Sequence, residues 1–258
     1  MATSNRITYI GHATVLLEMD GVRLLTDPLL RDRVFHLKRR SQPANPSVYQ
    51  ETDAVLISHL HRDHLDIPSL RLLGLDTYLI VPAGAADLLN KRGFSNIIEM
   101  RPGDTTEIGG ETIQATQADH NSSHLPSGQS IGCQGYLIRG SQSVYFPGDT
   151  DLYPEMADLS DDLDVALLPV WGWGPNLGVG HMDPKRAAEA LTLLRPRIAI
   201  PIHWGTFYPR GLGWLRPHLM TEPPQIFKRE ALKRMPQVET QILAPGSSLD
   251  LTTYLIHQ

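Results

Sequence analysis

The stretch AVLISHLHRDHLDIPSL, residues 54–70, decides how this chain is read. An apolar run leads straight into His59, His61, Asp63 and His64, three of the chain's 11 histidines within six positions. DAVLIS is short and continuously apolar, which suits a strand buried on both faces. The polar cluster then falls in the loop at the carboxyl end of that strand, where open α/β sheets place their ligands. His59 and His61, two apart in extended chain, point the same way and can share one cation. Asp63 and His64 follow the turn and would crowd the same tetrahedral set, so they suit a second ion. Four solvated loop residues would need no such spacing.

Two ions require more donors than one loop supplies, and the rest of the chain offers them at other strand ends. His120 closes TIQATQAD, Asp149 closes SVYFPGD and His203 closes RIAIPIH. The single cysteine, Cys133, excludes an internal disulfide and a thiolate-rich metal site, so any metal takes nitrogen and oxygen ligands. Cys133 itself reads as a small buried residue at the start of a strand.

Organisation along the chain is that of an α/β protein. RITYI, ATVLLEM and VRLLTD read as strands, with Asp20-Gly21 as a tight hairpin turn. Asp66 and Pro68 open a helix closed by Gly74, AADLLNKR is a second ending at Gly93, and Asp183 caps a third, PKRAAEALTLL, with Pro184 at its first position. A weak internal repeat is visible. TVLLEMDGVRLLTDP and GYLIRGSQSVYFPGD are each strand, turn, strand and an aspartate, and each precedes an apolar strand that begins with Asp, DAVLIS and DVALLP. Two similar halves would pack sheet against sheet with helices outside, a four-layer α/β arrangement. No linker splits the chain, so a single domain over residues 1–258 is expected.

At 258 residues, 41% hydrophobic and 20% charged, with a net charge of -5, the composition is that of an ordinary globular protein without the bulk charge of a nucleic-acid binder. No export signal or membrane-length apolar run is visible, which leads to an expectation of a cytoplasmic protein.

HLHRDH resembles the His-x-His-x-Asp-His signature of the metallo-β-lactamase superfamily, and the likeness extends over nearly the whole chain. GHATVLLEMDGVRLLTDP, DAVLISHLHRDHLD, FPGDTDLY, HMDPKRAAEAL and PIHWGTF are similar to the branch containing N-acyl phosphatidylethanolamine phospholipase D and ascorbate-6-phosphate lactonase-like proteins. The resemblance implies a four-layer αββα fold and a dinuclear centre, with zinc as first choice and manganese or iron as alternatives. One ion would take His59, His61 and His120, the other Asp63, His64 and His203, with Asp149 bridging. The chemistry implied is hydrolysis by a metal-bridged hydroxide, for which Asp149, Asp63 and His181 form the catalytic set. His181, in GPNLGVGHMDP, lies outside the ligand set and is the candidate acid for the leaving group. His12, in IGHAT, reads as a supporting or structural residue, and His124 as a weaker competitor of His120. His36, His218 and His257 have no motif behind them.

The expected substrate is a phosphodiester or phosphate-bearing small molecule or lipid. Alternatives are a lactone or amide hydrolase with side activity on β-lactams, and a non-catalytic metal-binding protein on the same fold. Substrate choice falls to loops. Positions 31–40 carry five basic residues against one acid, a solvated loop or an anion-recognition segment. The four tryptophans, Trp171, Trp173, Trp204 and Trp214, would wall a pocket, and LGWLRPHLM would form its lid. No nucleic-acid partner is expected, membrane contact is at most peripheral, and the oligomeric state is open.

Overall fold

The computed structural model describes residues 5–121, 130–172, 177–211 and 216–252, with the backbone of 123–124. Two seven-stranded sheets dominate it. The first is built from β1 (Arg6–Gly11), β2 (Thr14–Met19), β3 (Val22–Thr26), β4 (Ala54–Leu56), β5 (Tyr78–Pro82) and β6 (Ile97–Met100). The second contains β7 (Thr105–Ile108), β8 (Glu111–Gln117), β9 (Gln134–Arg139), β10 (Ser143–Phe146), β11 (Val165–Pro169), β12 (Ile198–Ile202) and β13 (Glu239–Thr240). The chain ends back in the first sheet with β14 (Ser247–Asp250), paired antiparallel to β1.

The strand orders are β14-β1-β2-β3-β4-β5-β6 and β13-β12-β11-β10-β9-β8-β7. In the first, β1 to β3 form an antiparallel meander, and β4 to β6 continue in parallel from β3. In the second, β8 to β10 form the meander, and β11 to β13 continue in parallel from β10. The repeat visible in the sequence is therefore a repeat of topology: β2-β3-β4 corresponds to β9-β10-β11.

Alternation along the strands sets the layers. Ile7, Tyr9, Leu17, Leu24 and Leu56 of the first sheet join Ile113, Tyr136, Ile138, Val144 and Phe146 of the second in one buried cluster. The opposite face of the first sheet, with Leu16, Leu25, Val55, Ile57 and Leu79, packs on helices α1 (Ile67–Leu73) and α2 (Ala86–Asn90). Helices α3 (Pro184–Leu194) and α4 (Glu222–Arg234) cover the second sheet through Ala187, Leu191, Phe227 and Ala231. Helix starts fall where the sequence puts them: Asp66 accepts from the Ser69 amide, and Asp183 from those of Lys185 and Arg186. The second helix is shorter than expected, ending at Asn90 and leaving turns up to Gly93. Cys133 is half-buried just ahead of β9, where burial pushes its thiol up to about 12.

At the far end from the histidines, the tips of the two corresponding hairpins hold each other. Asp20 and Gly21 both have positive φ (50° and 89°), as a tight turn between twisted strands requires. The Asp20 carboxylate accepts from the amide (2.7 Å) and hydroxyl (2.8 Å) of Ser141 at the other tip. Glu111 lies against this contact, 1% exposed, with Oε2 lacking a hydrogen-bond partner. Burial, with the Asp20 charge beside it, pushes its carboxyl up to about 7 from 4.5. A raised carboxyl binds its proton more tightly in the folded state than in the unfolded state, so this contribution to stability falls as pH rises from about 4.5 to about 7. Glu111→Gln should therefore melt higher than the parent at pH 8, with the gap closing towards pH 4.5. Thermal unfolding at both pH values checks it, and a gap independent of pH would show that the carboxyl does not titrate there.

Candidate metal centre

The carboxyl ends of the strands in both sheets converge on one cluster. The loop after β4 brings Ser58 to His64, the segment after β8 brings His120, the turn after β10 brings Asp149, and His203 follows β12 directly. Two turns bring backbone unusually close. Gly180 (φ 79°) sits where a Cβ would lie 2.8 Å from the His120 Cα, and Gly148 (φ 64°) where one would lie 2.4 Å from the Ser58 Cβ. Larger residues there would push the ligand loops apart.

Three imidazoles form one group, with His61 Nδ1 at 3.0 Å from His59 Nε2 and 3.2 Å from His120 Nε2. The other gathers His64, His203 and Asp63. His64 Nε2 is 3.3 Å from His203 Nε2 and 3.9 Å from Asp63 Oδ2. Asp149 lies between them: Oδ2 is 3.1 Å from His64 Nε2, Oδ1 is 3.3 Å from His203 Nε2, and His120 falls in the same cluster of donor atoms as Asp149 and His181. All seven sequence candidates are thus brought together.

The outward ring nitrogens settle how these histidines present themselves. His120 Nδ1 donates to the Gly180 carbonyl and His203 Nδ1 to that of Trp171, both at 2.7 Å. His64 Nδ1 donates to Asp27 Oδ2 at 2.7 Å. His59 Nδ1 donates to Ser58 Oγ (2.9 Å), whose own hydroxyl donates to Asp27 Oδ2 (2.5 Å). Carbonyls and carboxylates only accept, so each of these Nδ1 atoms carries a proton, and the neutral rings of His59, His120 and His203 turn an Nε2 lone pair inward. Such outer partners are the usual way a metal-binding imidazole is oriented.

Protonation separates His64 from the other four. Burial holds His59 well below the ordinary histidine value, lowers His61 and His120, and takes His203 to about 3, so their lone pairs are free at neutral pH. Burial would lower His64 too, but the carboxylates of Asp149, Asp63 and Asp27 around it raise it well above the usual value. Burial would raise Asp149, yet His203, His64 and His181 hold it well below the carboxylate range. Among the described residues, the ion-pair partners of Asp27, Asp63 and Asp149 are imidazoles, and Asp149 Oδ1 has no hydrogen-bond donor. Asp63 and Asp149 amid the inward lone pairs, with Asp27 behind them, form a donor set that fits divalent cations, because buried anions need compensating charge.

Other candidates take different places. His12, distant in sequence, lies at the centre: its Nε2 is 3.2 Å from Asp63 Oδ2 and its ring centroid is 3.9 Å from that of His203. It contacts Asp63 and falls in the same cluster of donor atoms as Asp63, His64 and His203, closer to the centre than its place on the first hairpin suggests. His181 Nε2 is 3.4 Å from Asp149 Oδ2, and its Nδ1 is 3.2 Å from the Gly178 carbonyl. The side chain of His124, together with Trp173, Trp214 and His257, lies outside the described residues. Trp171 and Trp204 do not wall this site. Trp171 is buried and supplies the carbonyl for His203, while Trp204 lines a separate cavity of about 810 Å³ with Tyr208 and Met220. The walls of the metal-side cavity, about 490 Å³, come instead from Val34, Phe35, His36 and Leu37. Asp27 and Ser58 had no role in the sequence reading. The signal was the internal repeat, which puts an aspartate after β3 as it does after β10.

Comparison with known proteins agrees with this geometry. The model of the β-lactamase superfamily domain matches residues 22–204. The chain is 33% identical to a UPF0173 metal-dependent hydrolase of Methanopyrus kandleri, over 95% of this chain and 99% of that one. It is 30% identical to the N-acyl-phosphatidylethanolamine-hydrolyzing phospholipase D 1 of Caenorhabditis elegans, over 79% of this chain and 64% of that one. Among solved structures, a metallo hydrolase of Ignicoccus hospitalis, Igni18, superposes with a TM-score of 0.69 at 25% identity, covering 96% and 98% of the two chains.

Because Asp27 anchors one histidine of each group, Asp27→Asn should weaken metal binding by about 10- to 100-fold, the scale of losing an outer partner. Competition with a fluorescent chelator measures this, and unchanged affinity would remove Asp27 from the account.

Proposed function

The chain belongs to the metallo-β-lactamase superfamily, and on that premise we propose that it is a dinuclear metal-dependent hydrolase acting on a phosphodiester or other phosphate ester. The observation that carries this reading is the pair of inward-facing donor groups with Asp149 between them. His59, His61 and His120 would hold one ion, Asp63, His64 and His203 the other, and Asp149 would bridge. Nitrogen and oxygen donors bind zinc more strongly than manganese or iron, so zinc is the proposed metal. Bound divalent ions supply Lewis acidity and bring the pKa of a water towards neutrality.

The chain's own residues supply the rest. Asp149, buried and ionised, orients what lies between the two donor groups. Asp63 is fixed by His12 and so presents a set oxygen to the second group. His181 lines the cavity beside Asp149, its side chain 24% exposed. Burial would lower its pKa, but the hydrogen bond and charge of Asp149 raise it above the ordinary value. That shift favours the protonated ring, the form a leaving-group acid requires. The phosphate-ester assignment draws on the phospholipase relative and on the cationic rim of the cavity, where Arg62 stands.

Elemental analysis of reconstituted protein should give two divalent ions per chain, and a maximum of one would overturn the dinuclear reading. Asp149→Asn should abolish turnover of bis-p-nitrophenyl phosphate, yet the metal-free variant should melt no lower than the metal-free parent, since a buried charge has been removed. A large loss of stability would make Asp149 a structural residue instead.

His181→Ala should retain both ions and lose roughly 100-fold in rate, the scale of one positioned acid. The loss should shrink for p-nitrophenolate leaving groups, which need little proton assistance. Equal loss on alkoxide and nitrophenolate esters would assign His181 to binding.

A further inference from the structure

The basic segment 31–40 is less available to a ligand than its composition suggests. Arg31 makes a two-point ion pair with Asp66, at 2.5 and 2.8 Å, and Arg39 is buried, donating to the Leu29 carbonyl with its guanidinium 4.8 Å from the Phe207 ring centroid. Both are spent on the fold. They fasten a small three-stranded sheet in which Arg33–Val34 pairs with Leu37–Arg39, and Leu37–Arg39 with Phe207–Pro209. Leu29, Val34, Leu37 and Phe207 form a buried cluster of their own beneath it.

That anchored hairpin projects Phe35 from its tip. Phe35 is 66% exposed and has a positive φ of 53°, a costly state for an aromatic residue whose ring gains nothing from burial there. Its ring does have one partner: the Arg62 guanidinium stands 4.4 Å from the centroid. Arg62 lies between the candidate ligands His61 and Asp63, lines the same cavity as Asp149 and His181, and forms no ion pair among the described residues. Arg62 and Phe35 also wall a neighbouring groove of about 660 Å³, so they form the ridge between the two spaces.

We propose that Arg62, held over the cavity by Phe35, is the specificity-determining group of this site and binds the anionic oxygens of the substrate's phosphate. The inference rests on the phosphate-ester reading above and deepens it. A guanidinium is planar and always charged, and its fork matches two phosphate oxygens. An exposed cation–π contact is weaker than a charge-assisted, two-point hydrogen bond, so Phe35 orders the side chain without retaining it when an anion arrives. The hairpin thus serves recognition through its aromatic tip, and its arginines hold that tip in place.

The test uses the full chain loaded with zinc and the variants Arg62→Ala, Arg62→Lys and Phe35→Ala, each checked for metal content. Calorimetry with inorganic phosphate should show affinity weakened roughly tenfold or more by Arg62→Ala. Arg62→Lys should recover part of it through charge alone, and Phe35→Ala should weaken it by a smaller factor. In kinetics, Arg62→Ala should lower kcat/KM for bis-p-nitrophenyl phosphate about tenfold more than for the neutral ester p-nitrophenyl acetate. Unchanged phosphate affinity, or equal losses on both esters, would overturn the proposal. A parent that cleaves the neutral ester or a lactone but no phosphodiester would overturn the phosphate-ester reading alone, since the calorimetric comparison still decides whether Arg62 binds phosphate.

Discussion

Three carboxylates, Asp27, Asp63 and Asp149, sit where the ends of the two sheets meet, surrounded by imidazoles. Burying that much negative charge is costly unless it is neutralised. The surrounding structure is arranged to make the burial possible: outer nitrogens are tied to carbonyls, glycines let the loops close in, and His12 comes from the first hairpin to take up Asp63. The contacts that orient the candidate ligands are also contacts that close these loops together.

The duplication explains how one chain supplies both the ligands and their supports. After β3 and after β10 the chain reaches the same topological point with an aspartate, Asp27 in one half and Asp149 in the other. Asp27 is turned into its own half, where it accepts from Ser58 and His64. Asp149 faces the space between the two donor groups. Equivalent backbone positions have taken different work, orientation in one and direct contact with the donor cluster in the other. At the opposite end, Asp20 and Ser141 join the two hairpin tips, so the halves are fastened at both ends of the sandwich.

Around this centre the periphery is built from other parts of the chain. The rim is made by a short hairpin inserted between β3 and β4 and by Arg62, inside the histidine cluster itself. A loop on a rigid support can change its tip without disturbing the buried donors. That division leaves Phe35 and Arg62 among the side chains least constrained by packing.

Sequence alone determined the parts that depend on local pattern. The buried strand ahead of His59, the two capped helices at Asp66 and Asp183, the Asp20-Gly21 turn, the internal repeat and the seven candidate ligands were all legible, because strand ends, caps and turns are written in neighbouring residues. Tertiary structure decided what depends on residues far apart in the chain. It brought His12 to Asp63, 51 positions away, and Asp27 to His64, 37 positions away. It also tied Arg31 to Asp66 and turned Arg39 inward to brace a hairpin, buried Trp171 and Trp204 away from the metal-side cavity, and left Phe35 and Arg62 at the rim. An arginine or tryptophan has the same sequence signature whether it braces the fold or meets a ligand. Only the packing of the two sheets settles which, because it fixes which side chains find partners inside and which remain facing the solvent.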